Sequence, residues 1–201
     1  MIGATSLANQ EDGLTMGSPL LFGALQSLTE QPHYTVWDPQ PATQGLLDYF
    51  SLSCCTLYLP ACRDALCQLP IEEAESSLDT VFPQLFSFDD ASFKPIKLLL
   101  LWDLPNYLQP SVLSALIQYL TPRLDPHVVI HSFIYTSQSM PETPALFRFV
   151  EQQKLHVVST SVRTCTCPMY YQEKLHKLFN PFRVQRSILL SNGIQEYVLT
   201  S

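Results

Sequence analysis

Residues Val36 to Gly45, VWDPQPATQG, lie between a short β-like run, HYTVWD (33–38), and an apolar helical segment, QGLLDYFSL (44–52). A strand, an acidic residue at its end and a tight turn into a helix is the arrangement with which open α/β sheets bind ligands. Nucleotide loops of this kind use glycine so that backbone approaches the ligand with no Cβ in the way. Here Gln40, Ala42 and Gln44 fill those slots and Gly45 alone is retained. Pro39 and Pro41 stiffen the turn and remove two N–H donors. The stretch keeps the shape of a nucleotide loop without its bare backbone.

Outward from it, the chain alternates. SPLLFGALQSL (18–28) opens a helix, with Ser18 as N-cap and Pro19 at the first helical position. After the loop, CCTLYLP (54–60) reads as a second strand, and ACRDALCQL (61–69) and IEEAESSLDTVFPQL (71–85) as helices. IKLLLLWDL (96–104) is almost continuously apolar, as a strand covered on both faces requires. SVLSALIQYLTPRL (111–124) places Val112, Leu113, Leu116, Ile117 and Leu120 on one helical face, with Ser111 as its cap. HVVIHSFIY (127–135) reads as a strand, PALFRFVEQQ (144–153) as a helix, LHVVSTSVR (155–163) as a strand and MYYQEKLHKLF (169–179) as a helix. The last segment, FRVQRSILLSNGIQEYVLTS (182–201), holds two β-runs joined at Ser191-Asn192-Gly193, a tight hairpin signal. The expected fold class is therefore α/β: a three-layer sandwich with a mostly parallel central sheet and a C-terminal antiparallel β-hairpin.

Composition bounds the function. At 201 residues one well-buried domain is expected, spanning 18–201 behind a loose Gly/Ser/Asn-rich tail at 1–17. Charged residues make up only 14% of the chain against roughly 25% in an average soluble protein, so part of the surface is expected to be covered by a protein partner or a second copy. A net charge of −7, with 11 basic residues scattered singly, argues against nucleic acid. No apolar run is long enough to span a membrane, and the N-terminal residues carry no basic or hydrophobic signal region, which points to the cytoplasm. The six cysteines fall as Cys-Cys, Cys-x4-Cys and Cys-x-Cys, spacings that read as reduced, buried thiols and imply no metal. His127 and His131 share one face of a strand with no carboxylate at metal spacing.

The order of elements, helices between parallel strands and then an antiparallel hairpin, resembles the class I S-adenosylmethionine-dependent methyltransferases over about residues 19–200. Three stretches carry the resemblance: VWDPQPATQG, FSFDDASF (86–93) and LLLLWDLPNYL (98–108). By that resemblance the cofactor-binding positions are Asp38, Ala42 and Gly45 in the loop, Asp89 and Asp90 beside the adenine, and Asp103 after the fourth strand. Each acid also has a local role open to it. Asp38 can cap the following helix, Asp89 and Asp90 can build a turn, and Asp103 with Asn106 and Tyr107 can serve a turn between Pro105 and Pro110.

At the end of the second strand the family has an acidic acceptor for the ribose hydroxyls, and this chain has Leu57-Tyr58-Leu59-Pro60. Losing that charge-assisted partner costs a ligand roughly 1.5 to 3 kcal/mol. The resemblance therefore implies a methyltransferase scaffold whose S-adenosylmethionine site is weak or absent, acting as a non-catalytic interaction module. The alternative is an atypical methyltransferase of a small molecule or protein.

Overall fold

The computed structural model describes residues 13–69, 75–88, 93–150, 153–159 and 161–201. Within them runs a six-stranded sheet. Its strands are β2 (Tyr34–Trp37), β3 (Cys55–Tyr58), β4 (Ile96–Trp102), β5 (Leu124–Tyr135), β10 (Arg183–Leu189) and β11 (Ile194–Thr200), in the order β10-β11-β5-β4-β2-β3. The pairings among β3, β2, β4 and β5 are parallel, whereas β11 pairs antiparallel to both β5 and β10. The sheet is thus mixed: three of its five pairings are parallel, and the two made by the C-terminal hairpin are antiparallel.

Helices α3 (Arg63–Cys67), α4 (Glu75–Phe86), α5 (Pro110–Leu120) and α6 (Gln172–Leu178) supply the apolar cluster on one face, where Leu66, Phe82, Leu113, Leu116 and Leu175 meet Ile96, Leu99 and Leu101 of β4. The opposite face is covered by α1 (Pro19–Thr29), α2 (Gln44–Ser51) and a small antiparallel sheet of β1 (Leu14–Gly17), β8 (Lys154–Val158) and β7 (Leu146–Val150), in the order β1-β8-β7. A separate two-stranded ribbon joins β6 (Ser139–Pro141) to β9 (Thr164–Thr166). Leu98, Leu100 and Trp102 face this second layer, which explains why β4 is apolar along nearly its whole length.

Three local readings change. Residues 144–153, expected as a helix, contain β7. The F-R-F alternation at 147–149 has the period of a strand, with Phe147 and Phe149 buried and Val150 exposed. Residues 14–17, expected within the loose tail, form the edge strand β1 by pairing with β8 from Leu14↔Val157 to Gly17↔Lys154. Helix α5 starts at Pro110 with Gln109 as its cap, so Ser111 already lies inside it.

Helix α1 begins where the sequence places it, but its cap comes from far away. The buried Ser18 hydroxyl donates to Glu196 Oε1 at 2.5 Å and does not cap its own helix. The Glu196 carboxylate, brought in by β11, accepts instead from Leu21 N at 2.9 Å and Leu20 N at 3.2 Å, and from His131 Nε2 at 3.0 Å. An anion among the free N–H groups of a first helical turn suits both their hydrogen-bonding need and the helix dipole. Burial alone would raise the Glu196 carboxyl, but the bond and charge of His131, with the Ser18 and Leu21 donors, hold it below the usual carboxylate range. We expect Glu196→Ala, which strands His131 and two helix N–H groups in the interior, to lower stability by about 3 to 5 kcal/mol, measured by urea unfolding.

Candidate functional site at the carboxyl ends of the central strands

Asp38 and Asp103 follow β2 and β4, neighbours in the sheet, and both are buried, at 0% and 1% exposure. Asp38 Oδ1 accepts from the backbone N–H of Gln40 at 2.9 Å and from the indole N–H of Trp102 at 2.9 Å. Asp103 Oδ2 accepts from Ala145 N at 3.0 Å and from the Tyr135 hydroxyl at 3.4 Å. One buried cation serves both: the charge of Arg63, at the start of α3, pulls down the pKa of each carboxyl. Arg63 also spans outward, its Nε pairing with the exposed Asp64 at 2.9 Å and its Nη1 donating to Ala145 O at 2.9 Å.

The remaining partners come from β7 and the residue before it. Gln40, 1% exposed, turns its side chain inward and accepts from Phe147 N at 2.8 Å. Asp103, Arg63 and Gln40 together thus hold the backbone at Ala145 and Phe147. Phe147 stacks on Trp102, with ring centroids 5.0 Å apart and planes 6° apart, and on Phe133 at 5.1 Å. Phe149 packs against Phe22, Tyr49, Phe50 and Trp102. Trp102 reaches this position through a left-handed backbone, φ 51°, at a break in the β4/β5 register between Leu100 and Trp102. Such a conformation costs on the order of 1 to 3 kcal/mol in a non-glycine residue, and here it accompanies the aiming of the indole at Asp38.

The sequence-derived site residues separate accordingly. Asp38 and Asp103 are brought together. Gly45 lies beside β7: a Cβ there would stand 2.3 Å from Phe149 O, so this glycine makes room for the protein's own backbone. Ala42 is exposed, and Gln44 points outward to bond Asp48 Oδ1 at 2.6 Å. Asp89 and Asp90 lie outside the described residues. Asn106 is a tie between strands: its amide donates to Asp103 O and Phe133 O and accepts from Tyr135 N. Gln40 and Trp102 lie inside two of the stretches that carry the resemblance but are not among its cofactor positions, and Arg63 falls in no motif and is distant in sequence from both acids. Among the described residues no group of three or more His, Cys, Asp or Glu is arranged to hold a metal ion, and all six cysteines are free. Burial pushes the Cys62 and Cys67 thiols up to about 12, which makes them poor nucleophiles.

No protein-family model matches the chain, and no curated protein matches its sequence. Among solved structures it is similar to the pyocyanin biosynthetic protein PhzM, at 10% identity and a TM-score of 0.44 over 88% of this chain and 53% of that one. It is also similar to the glycopeptide N-methyltransferase MtfA, at 14% identity and a TM-score of 0.43 over 89% of this chain and 94% of that one. The chain spans about half the length of the first and nearly all of the second.

Burial pushes both acids up to about 7, against the hydrogen bonds and the Arg63 charge that lower them. A carboxyl whose folded pKa lies above its unfolded value of 3.8 favours the folded state at low pH, and that contribution is lost as pH rises through about 7. Stability is therefore expected to fall between about pH 4 and pH 7. Asp38→Asn keeps the oxygen that Gln40 and Trp102 use while removing one ionisation, so it should show a shallower fall. Urea midpoints for both proteins across this range test the assignment, and an unchanged slope in the variant refutes it.

A second expectation concerns the backbone contact. Gly45→Ala forces a methyl into Phe149 O and should destabilise by about 1 to 3 kcal/mol. Hydrogen exchange should place the loss of protection in β7.

Proposed function

We propose that this chain is a methyltransferase-like module whose S-adenosylmethionine site is taken up by its own strand β7, and that it acts by binding protein without transferring a methyl group. The observation that carries this reading is that Asp38, Gln40, Asp103 and Arg63 each spend a polar atom on Trp102 or on the backbone at Ala145 and Phe147, while Asp38 Oδ2, Gln40 Nε2 and Asp103 Oδ1 stay buried without a partner among the described residues. The carboxyl ends of the strands are where an open α/β sheet takes its ligand. In this chain the groups at those ends are below 10% exposed and are already engaged with β7 and its neighbours.

Support for a protein partner comes from apolar side chains at free strand edges. Leu189 and Ile188 on β10 are 62% and 41% exposed, Leu14 on β1 is 61% exposed, and β1 and β10 are edge strands of their sheets. Leu14, Pro19 and Leu190 line one shallow groove between the β1 edge and the hairpin tip. Apolar side chains beside free strand edges are a surface that another chain can cover. Among the described residues no helix is long and apolar enough to cross a membrane.

Calorimetric titration with S-adenosylmethionine and with its demethylated product should give no saturable heat up to millimolar concentration. Saturable binding in the micromolar range that Asp38→Ala abolishes would overturn the proposal and restore the methyltransferase reading.

A further inference from the structure

We propose that the cleft between α1 and the terminal hairpin is a binding site for a small amphiphile with a carboxylate head and an apolar tail. The cleft has a volume of about 490 Å³, within the range of small-molecule sites. It lies at the opposite end of the sheet from Asp38 and Asp103, since its walls include His127 and Val129 near the start of β5 and Thr200, which pairs with Val129. The site is independent of the function proposed above.

Its walls are built before any ligand arrives. Helix α1 is fixed at its start by the Glu196 carboxylate, and β5, β11 and β10 are hydrogen-bonded neighbours along their length. A preformed cavity spares the ligand the cost of ordering the protein.

The lining selects the ligand by charge and by shape. Although the chain carries 18 acidic residues to 11 basic ones, no Asp or Glu side chain lines this cleft. Arg186 does, and among the described residues it makes no ion pair. A single guanidinium offers a planar fork that matches one carboxylate, and its one charge neutralises a monoanion but not a phosphate dianion. His127 and Gln185 add hydrogen-bonding groups to the lining. Leu20, Leu28 and Val198, each at most 6% exposed, form the apolar floor of the cleft that a hydrocarbon tail would touch.

Gly23 gives the test its handle. It lines the cleft from α1, and nothing lies within 4 Å of where its Cβ would be, so a larger side chain there fills the cleft without meeting protein. Leucine also raises helix propensity at that position, so Gly23→Leu should fold.

The experiment is calorimetry on the full chain with decanoate, kept below micelle formation, and with decanol as the uncharged probe. One-site decanoate binding is expected, with decanol at least tenfold weaker, Arg186→Gln at least tenfold weaker for decanoate, and Gly23→Leu showing none. Absence of saturable decanoate binding at millimolar concentration overturns the proposal, as does equal affinity in Arg186→Gln or undiminished binding in a folded Gly23→Leu. Binding of decanol as tight as that of decanoate also overturns it, because the site would then read apolar surface alone.

Discussion

Two carboxyls at the ends of adjacent strands are buried, and the residues packed around them answer the demands of that burial. An ionised carboxyl in an apolar interior is tolerated only when it is paired or hydrogen-bonded. Asp38 and Asp103 share the charge of Arg63 and take up the indole of Trp102, the phenol of Tyr135 and the backbone N–H groups of Gln40 and Ala145. Each donor comes from a different part of the chain. The register break that frees Trp102, the inward turn of Gln40 and the path of the chain through Ala145 are geometrically bound to these two acids. Burial still outweighs these partners and pushes both carboxyls up to about 7.

A third buried acid near the same end of the sheet follows the same logic with the opposite sign. Glu196 is as deeply buried as Asp38, yet its carboxyl lies below the ordinary range, because His131 and the first turn of α1 give it more than burial takes away. One buried acid therefore stabilises the fold in its ionised form, while two others favour it when protonated. The difference is in the donors: three polar hydrogens and an imidazole converge on Glu196, whereas Asp38 Oδ2 and Asp103 Oδ1 have no partner among the described residues.

Much of this fold was legible in the sequence. The apolar run of β4, the loop after β2, the hairpin at Asn192-Gly193 and the heptad-like face of α5 each carry a local signal stronger than its alternatives. What was not legible depends on distance. Residues 144–153 mix helix-compatible residues with a three-residue alternation, and only the buried ring stack with Trp102 and Phe133 decides that Phe147 and Phe149 lie on a strand. The two acids of the site are legible because they stand at the carboxyl ends of apolar strands, where open α/β sheets take ligands. Arg63 was not, since an arginine in a short helix reads as a solvated surface group until the structure shows it buried beneath Ala145. Nor is the neighbour of Gly45 legible: a lone glycine in that loop suggests a cofactor, and the structure adds that a Cβ there would meet the Phe149 carbonyl of the same chain.

Whether β7 is a fixture or a lid is a question of magnitude. Lifting it exposes Phe147 and Phe149, each worth roughly 1.5 to 3 kcal/mol of burial, and breaks the stacking on Trp102, worth about another 0.5 to 1.5. It also strips partners from Asp103 and Gln40. An opening cost of about 5 kcal/mol weakens any ligand of the exposed site by a factor of several thousand, which turns an intrinsically micromolar affinity into a millimolar one. At that cost a ligand has to contribute most of its binding energy to displacing the strand. The hydrogen bonds it would gain there replace ones that the protein already makes, so they add little net free energy. On these terms β7 behaves as part of the core, and the acids at the strand ends serve the packing of the chain upon itself.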